Sequence, residues 1–144
     1  MTATYAAPST TASPAVARRR LASSLVGGFF LVMAGVHLGL ISSDPEVYRH
    51  FADDALLGVV RTGWASVFMA APIVFGALLM AGEIAIGALL LAGGRAAGAG
   101  WLLAIAFHAL LLLFGWWAWA WAVPAGVVLV ILARRDATTE GHGR

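Results

Sequence analysis

FGALLMAGEIAIGALLL, from Phe75 to Leu91, places a single carboxyl group, Glu83, in the middle of an otherwise uncharged apolar run. Such a run is long enough to form the centre of a membrane-crossing helix. A carboxyl at bilayer depth is costly unless it is neutral or partnered, which makes Glu83 a functional-site candidate by default. From Trp64 to Ala133 the only other charged side chain is Arg95, and it sits in a glycine-rich break, Gly93-Gly94-Arg95-Ala96-Ala97-Gly98. That break ends one apolar segment and starts the next.

Composition agrees with a membrane chain. Of 144 residues, 61% are hydrophobic and 11% charged, outside the range of soluble globular domains. All nine basic residues are arginine and they cluster beside apolar runs, so the net charge of +2 reads as a topology signal and not as a nucleic-acid surface. With no cysteine, disulfides, thiolate catalysis and cysteine metal ligation are excluded.

Residues 1–20 are small, polar and proline-punctuated, and read as a disordered cytoplasmic tail. The arginine triplet Arg18–Arg20 then precedes an apolar run over 21–41. A secretory signal has the same layout, but this run is long enough to span and no small-residue cleavage site follows, so a retained helix is expected. The second span covers about 67–92, with Pro72 suited to its first turn. Residues 96–133 are too long for one crossing, and Gly115 divides them into spans of about 97–114 and 117–133, with a kink expected at Pro124. Residues 134–144 form a second tail.

Four spans put Arg18, Arg19, Arg20, Arg95, Arg134 and Arg135 on one side, and a three-span count does not. The expectation is an all-α, four-helix transmembrane bundle in a bacterial cytoplasmic (inner) membrane, with both termini cytoplasmic. Between spans one and two, Asp44 and Pro45 read as an N-cap and first helical position. A short outer amphipathic helix is expected there, with Val47, Tyr48, Phe51, Ala55, Leu56 and Val59 on its apolar face. Trp64, Trp116, Trp117, Trp119 and Trp121 fall at the outer interface, where indoles form belts; an aromatic ligand platform is the alternative.

Three ionisable residues lie inside spans: His37, Glu83 and His108. Counting along the helices from the cytoplasmic side puts Glu83 and His108 at one height, ~14–15 Å, and His37 higher, at ~24 Å. Glu83 and His108 are therefore expected to meet, with His37 facing an outer vestibule. Glu83 shares its face with Gly76, Leu79, Met80, Ile86, Gly87 and Leu90, and His108 shares its face with Trp101 and Ala104. Glu83, His108, His37, Trp101 and Met80 are the ligand-binding candidates. No metal site is expected, because His37 stands apart in height from the other two. On the first helix Gly35 and Gly39 form a small-residue step that favours close helix approach. The bland reading, a hydrogen bond that only holds helices together, stays open for every one of these polar groups.

The segment Gly28–His37 (GFFLVMAGVH), the long outer connection, and Glu83–Gly93 (EIAIGALLLAG) together resemble the DoxX-like family of small four-span bacterial membrane proteins. The resemblance extends over about 21–133. It implies an accessory membrane subunit near a quinone-linked redox system, with Glu83 as the family-like polar position. Any quinone would then be reached through a partner. The expected partners are the lipid bilayer and a membrane redox protein or a second copy of the chain. Two readings follow: a ligand-binding accessory component, or an enzyme using a Glu/His acid–base pair on a lipid-like substrate. A purely structural scaffold is the third.

Overall fold

The computed structural model describes residues 14–140. Among these the chain is helical, with no strand: α1 (Pro14–Ser43), α2 (Gly58–Ser66), α3 (Pro72–Ala92), α4 (Gly94–Leu111) and α5 (Trp116–Glu140), joined by short 3-10 turns. Four stretches, Arg20–Ser43, Pro72–Ala92, Gly94–Phe114 and Trp116–Ala137, are long and apolar enough to cross a bilayer. In hydrocarbon every backbone N–H and C=O must be satisfied within the segment, which leaves a helix as the available form for each. The outward side chains, among them Leu25, Val32, Leu78, Leu102 and Val127, form an apolar surface suited to contact with a lipid bilayer. The chain is a multi-pass membrane protein.

Local chemistry sets the helix ends. Pro72 occupies the first turn of α3, where its missing N–H costs nothing, so this span starts there and not at 67. Gly93 (φ 75°) and Gly94 (φ 57°) are left-handed and reverse the chain between α3 and α4. Gly115 (φ 95°) does the same between α4 and α5, and Pro124 lies within α5. α1 begins at Pro14, so Arg18 and Arg20 ride on its first turns; the rest of the expected N-terminal tail, residues 1–13, lies outside the described residues. α5 likewise continues beyond 133, to Glu140.

Helices α1, α3, α4 and α5 pack in that order, each on the next, while α5 returns to α1 only sparsely. The α1–α3 crossing is close because of two glycines. A methyl on Gly87 would stand 2.8 Å from the Gly27 carbonyl oxygen, and one on Gly27 would stand 3.0 Å from that of Gly87. The expected step at Gly35 and Gly39 packs against nothing within 4 Å. These glycines lie on the helix face opposite His37. Turning the imidazole inward turns them towards lipid. The core between the helices is Phe30, Ile86, Leu90, Ala97, Trp101, Ala104 and Leu129.

The connection between α1 and α3 differs from a single amphipathic helix. A 3-10 helix, Pro45–Ala52, is capped by Asp44, whose side chain accepts from the Glu46 N–H at 3.0 Å; α2 follows as a second short helix. Tyr48, Ala52 and Ala55 are buried, whereas Val47, Leu56 and Val59 are exposed. The 3-10 repeat rotates side chains faster than the α repeat assumed from sequence, which splits that apolar face. The cap lies over the α4–α5 turn: Leu56 N–H donates to the Leu113 carbonyl at 3.2 Å, and Gly115 leaves room for the Asp54 backbone.

Candidate functional site

Glu83 is 2% exposed on the buried face of α3, together with Gly76, Ile86, Gly87 and Leu90. Its nearest charged or polar neighbour is His37 of α1: His37 Nε2 lies 3.6 Å from Glu83 Oε1. On its other side, His37 Nδ1 meets the Tyr48 hydroxyl at 2.6 Å. A line of three groups, Tyr48–His37–Glu83, thus runs from the cap into the bundle. If the imidazole Nε2 carries its proton towards the carboxylate, Nδ1 is the acceptor and the Tyr48 hydroxyl donates to it. Glu83 Oε2 is buried and has no hydrogen-bond partner.

The equal-height pairing of Glu83 with His108 is not what forms. Measured from the Gly27–Gly87 crossing, His37 stands ten residues up α1 and Glu83 four residues up α3, an axial offset of ~9 Å. Side chains on a helix lean towards its N-terminus. Because α1 and α3 are antiparallel, His37 leans down and Glu83 leans up, and the offset closes. His108 fails by rotation. Its Nδ1 is 2.8 Å from the Ala104 carbonyl, and its ring packs edge-on against Phe30 and Trp121, with centroids at 6.0 and 4.9 Å.

Tyr48 is the residue that sequence reasoning missed as a site member. It is fully buried, its carbonyl accepts from Trp64 Nε1 at 2.7 Å, and Phe51 and Phe68 pack on its ring at 5.3 Å each. The signal was Gly76, two turns above Glu83 on one face. A methyl there would stand 3.1 Å from the Tyr48 hydroxyl, so the glycine makes the berth for the phenol. Burial raises the Tyr48 pKa above its ordinary 10.0, and the Glu83 carboxylate pushes it the same way.

Glu83 and His37 form part of the wall of a cavity of about 390 Å³ in the cap half of the bundle. It occupies the gap that α5 leaves by meeting α1 so sparsely. From α1 come Phe29, Phe30, Met33, Val36 and Leu40, and Leu79 joins Glu83 from α3. Phe107, Leu110 and Leu111 of α4 and Phe114 of the 3-10 turn after it face them, with Trp117 and Trp121 of α5 and Phe51 and Trp64 of the α1–α3 connection closing the rest. Three of these side chains are also open on the flank of the bundle, Phe29 and Val36 at 45% and Leu110 at 61% exposure. The cavity therefore has a mouth on the lipid-facing side.

The remaining candidates lie elsewhere. Trp101 is in the core near the terminal end, and its Nε1–H donates to the buried Asp136 carboxylate at 3.2 Å. Met80 is half-buried on α3 and does not line the cavity. His108 lines a second, shallower cavity of about 370 Å³ between α4 and α5. The tryptophans divide: Trp116 and Trp119 point outward as a belt, while Trp64, Trp117 and Trp121 turn into the main cavity wall. Among the described residues no three His, Asp or Glu side chains gather as metal ligands; the third group beside Glu83 and His37 is a phenol.

This site can accept a hydrogen bond or a positive charge at Glu83 Oε2, and it surrounds that atom with apolar and aromatic surface. No family model matches the chain, and neither a curated protein nor a solved structure does.

Proposed function

We propose that this membrane protein binds a small lipophilic molecule in the cavity between α1, α4 and α5, with Glu83 and His37 as its polar anchor. The observation that carries the reading is Glu83, a buried carboxyl with one oxygen lacking a hydrogen-bond partner, among the lining residues of an apolar cavity. A cavity of this size, mostly apolar with a few convergent polar groups, is the usual form of a small-molecule site. A ligand dissolved in the bilayer reaches it through the gap at Phe29, Val36 and Leu110 without crossing water.

The resemblance to DoxX-like proteins implies an accessory place beside a quinone-linked redox partner, and the ligand expected from sequence is a small lipophile such as a quinone or a lipid. The arginine distribution supports a cytoplasmic membrane with both termini inside, which sets the cap and cavity in the outer half. A second reading is favoured by the Tyr48–His37–Glu83 line: acid–base chemistry on a lipid-like substrate, with His37 in place of His108 as the partner of Glu83.

The test is mass spectrometry of small lipophiles that co-purify with the detergent-solubilised chain. Leu110→Trp narrows the mouth from an exposed position and is expected to reduce the bound molecule, as is Glu83→Gln. An identical small-molecule complement in wild type and both variants refutes the binding reading. Product formation by wild type but not by His37→Ala would favour the enzymatic one.

A further inference from the structure

Resting on that cavity, the inference concerns the charge of its occupant. Of the sixteen side chains that form the wall, eight are phenylalanine or tryptophan, although aromatic residues make up only 10% of the chain. The wall holds one carboxyl group and no arginine. Among the described residues Glu83 faces His37 at 3.6 Å, beyond a hydrogen bond, and its second oxygen has no hydrogen-bond partner.

A carboxyl withdrawn from water is neutralised by a proton or met by a counter-charge or a donor, and among the described residues neither a cation nor a donor stands at Oε2. Aromatic faces carry a negative quadrupole that attracts cations and gives nothing comparable to a carbonyl oxygen. Both features of the wall select the same partner. A neutral hydroxyl satisfies Oε2 but makes no use of the rings. A quinone carbonyl is an acceptor facing an acceptor whenever Glu83 is ionised.

We infer that the cavity takes an amphiphilic organic cation, an amine or quaternary ammonium on an apolar body, with its positive centre held between Glu83 and the aromatic rings of the wall. A zwitterionic lipid headgroup is a poorer match, since its phosphate would enter beside a carboxylate with no arginine to meet it. The cation is therefore a small free amphiphile drawn from the membrane.

The test compares two probes of one shape: (4-phenylbutyl)trimethylammonium and its uncharged carbon isostere, (5,5-dimethylhexyl)benzene. Binding to the full chain in nonionic detergent is measured by equilibrium dialysis against empty micelles, and by quenching of tryptophan fluorescence. Wild type is expected to prefer the cation by about tenfold or more. In Glu83→Gln the neutral probe should bind as before and the preference should fall several-fold. Glu83→Asp keeps the charge and should keep a preference; Trp117→Leu should weaken the cation more than the neutral probe and so lower the preference.

Equal binding of the two probes to wild type overturns the inference and leaves the cavity reading standing. So does an undiminished preference in Glu83→Gln. If neither probe binds, both the inference and the cavity reading fall. Should Glu83→Gln fail to fold, the wild-type ratio and Trp117→Leu still decide the question.

Discussion

Gly76→Ala tests whether the phenol berth holds the site together. The added methyl would stand 2.5 Å from Ile41 Cγ2, 3.1 Å from the Tyr48 hydroxyl and 3.2 Å from Tyr48 Cε2. Ile41 can swing its methyl aside, but the Tyr48 ring is held by Trp64, Phe51 and Phe68 and has no free direction. Overpacking of this kind costs about 1–3 kcal/mol. Moving the hydroxyl off His37 adds about 1–3 kcal/mol for a buried group left unpaired. Alanine returns at most about 1 kcal/mol of helix propensity. The net expectation is a loss of about 1–6 kcal/mol in a denaturant titration in mixed micelles. Gly82→Ala is the control, because a methyl there meets nothing within 4 Å. A second readout is the tyrosinate absorbance titration in a Tyr5→Phe background. Tyr48 ionises above 10.0 in the wild type because burial, and then the Glu83 carboxylate, disfavour the phenolate. In Gly76→Ala its titration should fall back towards 10.0 as the ring is displaced. If Gly76→Ala matches Gly82→Ala in stability and leaves the titration unmoved, the berth is not what positions Tyr48.

Tyr48→Phe retains the ring and removes the hydroxyl, so it should cost about 1 kcal/mol and uncouple the cap from His37. A raised folded pKa for an acid means the neutral form is favoured, so this contribution is complete below 10.0 and is lost as pH rises through the higher folded value. Stability measured at alkaline pH should therefore fall in wild type and fall less in Tyr48→Phe. Gly87→Ala sets a methyl 2.8 Å from the backbone of Gly27, which cannot move aside without parting α1 from α3. A loss of about 2–3 kcal/mol is expected, against near-neutral effects for Gly35→Ala and Gly39→Ala, where the space is open. Similar unfolding curves for all three would contradict the crossing point. Glu83→Leu removes a buried oxygen without a hydrogen-bond partner, so the fold should change by no more than about 1 kcal/mol while any co-purifying ligand is lost; a tolerated substitution with an unchanged ligand complement would favour the scaffold reading.

The architecture was readable because hydrophobic length and glycine breaks are local properties. Gly93, Gly94 and Gly115 lie at left-handed turns, and Pro72 opens α3 where its geometry suits. The buried face of α3 followed from helical periodicity alone, and its members, Gly76, Glu83, Ile86, Gly87 and Leu90, are those found. What sequence could not supply was which neighbour each face meets. Height along an axis was used as the criterion for pairing Glu83, and it omitted both the lean of side chains on antiparallel helices and the rotation of α4. Tyr48 was hidden for another reason. The apolar face of the connecting segment, Tyr48 included, was legible, but not which span its phenol meets, and the phenol reaches the site because Gly76, Trp64 and Asp44 fix it from three separate places.

Whether the polar line is a scaffold or a site turns on how completely its members are satisfied. A pair that exists only to join helices gains from using every donor and acceptor, since each buried group left bare costs about 1–3 kcal/mol. Tyr48 and His37 meet that standard at 2.6 Å. Glu83 does not: one oxygen stands 3.6 Å from His37 and the other has no partner. The same helices make their close contact at Gly27 and Gly87, one turn below the acid, so backbone packing joins α1 and α3 there independently of the carboxyl. Four of the aromatic residues that could have filled the space beside Glu83, Phe51, Trp64, Phe114 and Trp117, instead pack against one another as a roof, through the Phe51–Trp64, Phe51–Trp117 and Trp64–Phe114 contacts. The bundle thus sets a cavity beside the residue that carries this unsatisfied oxygen and covers it from the cap side. The proposed lipophilic occupant would fill that cavity and lie against Glu83.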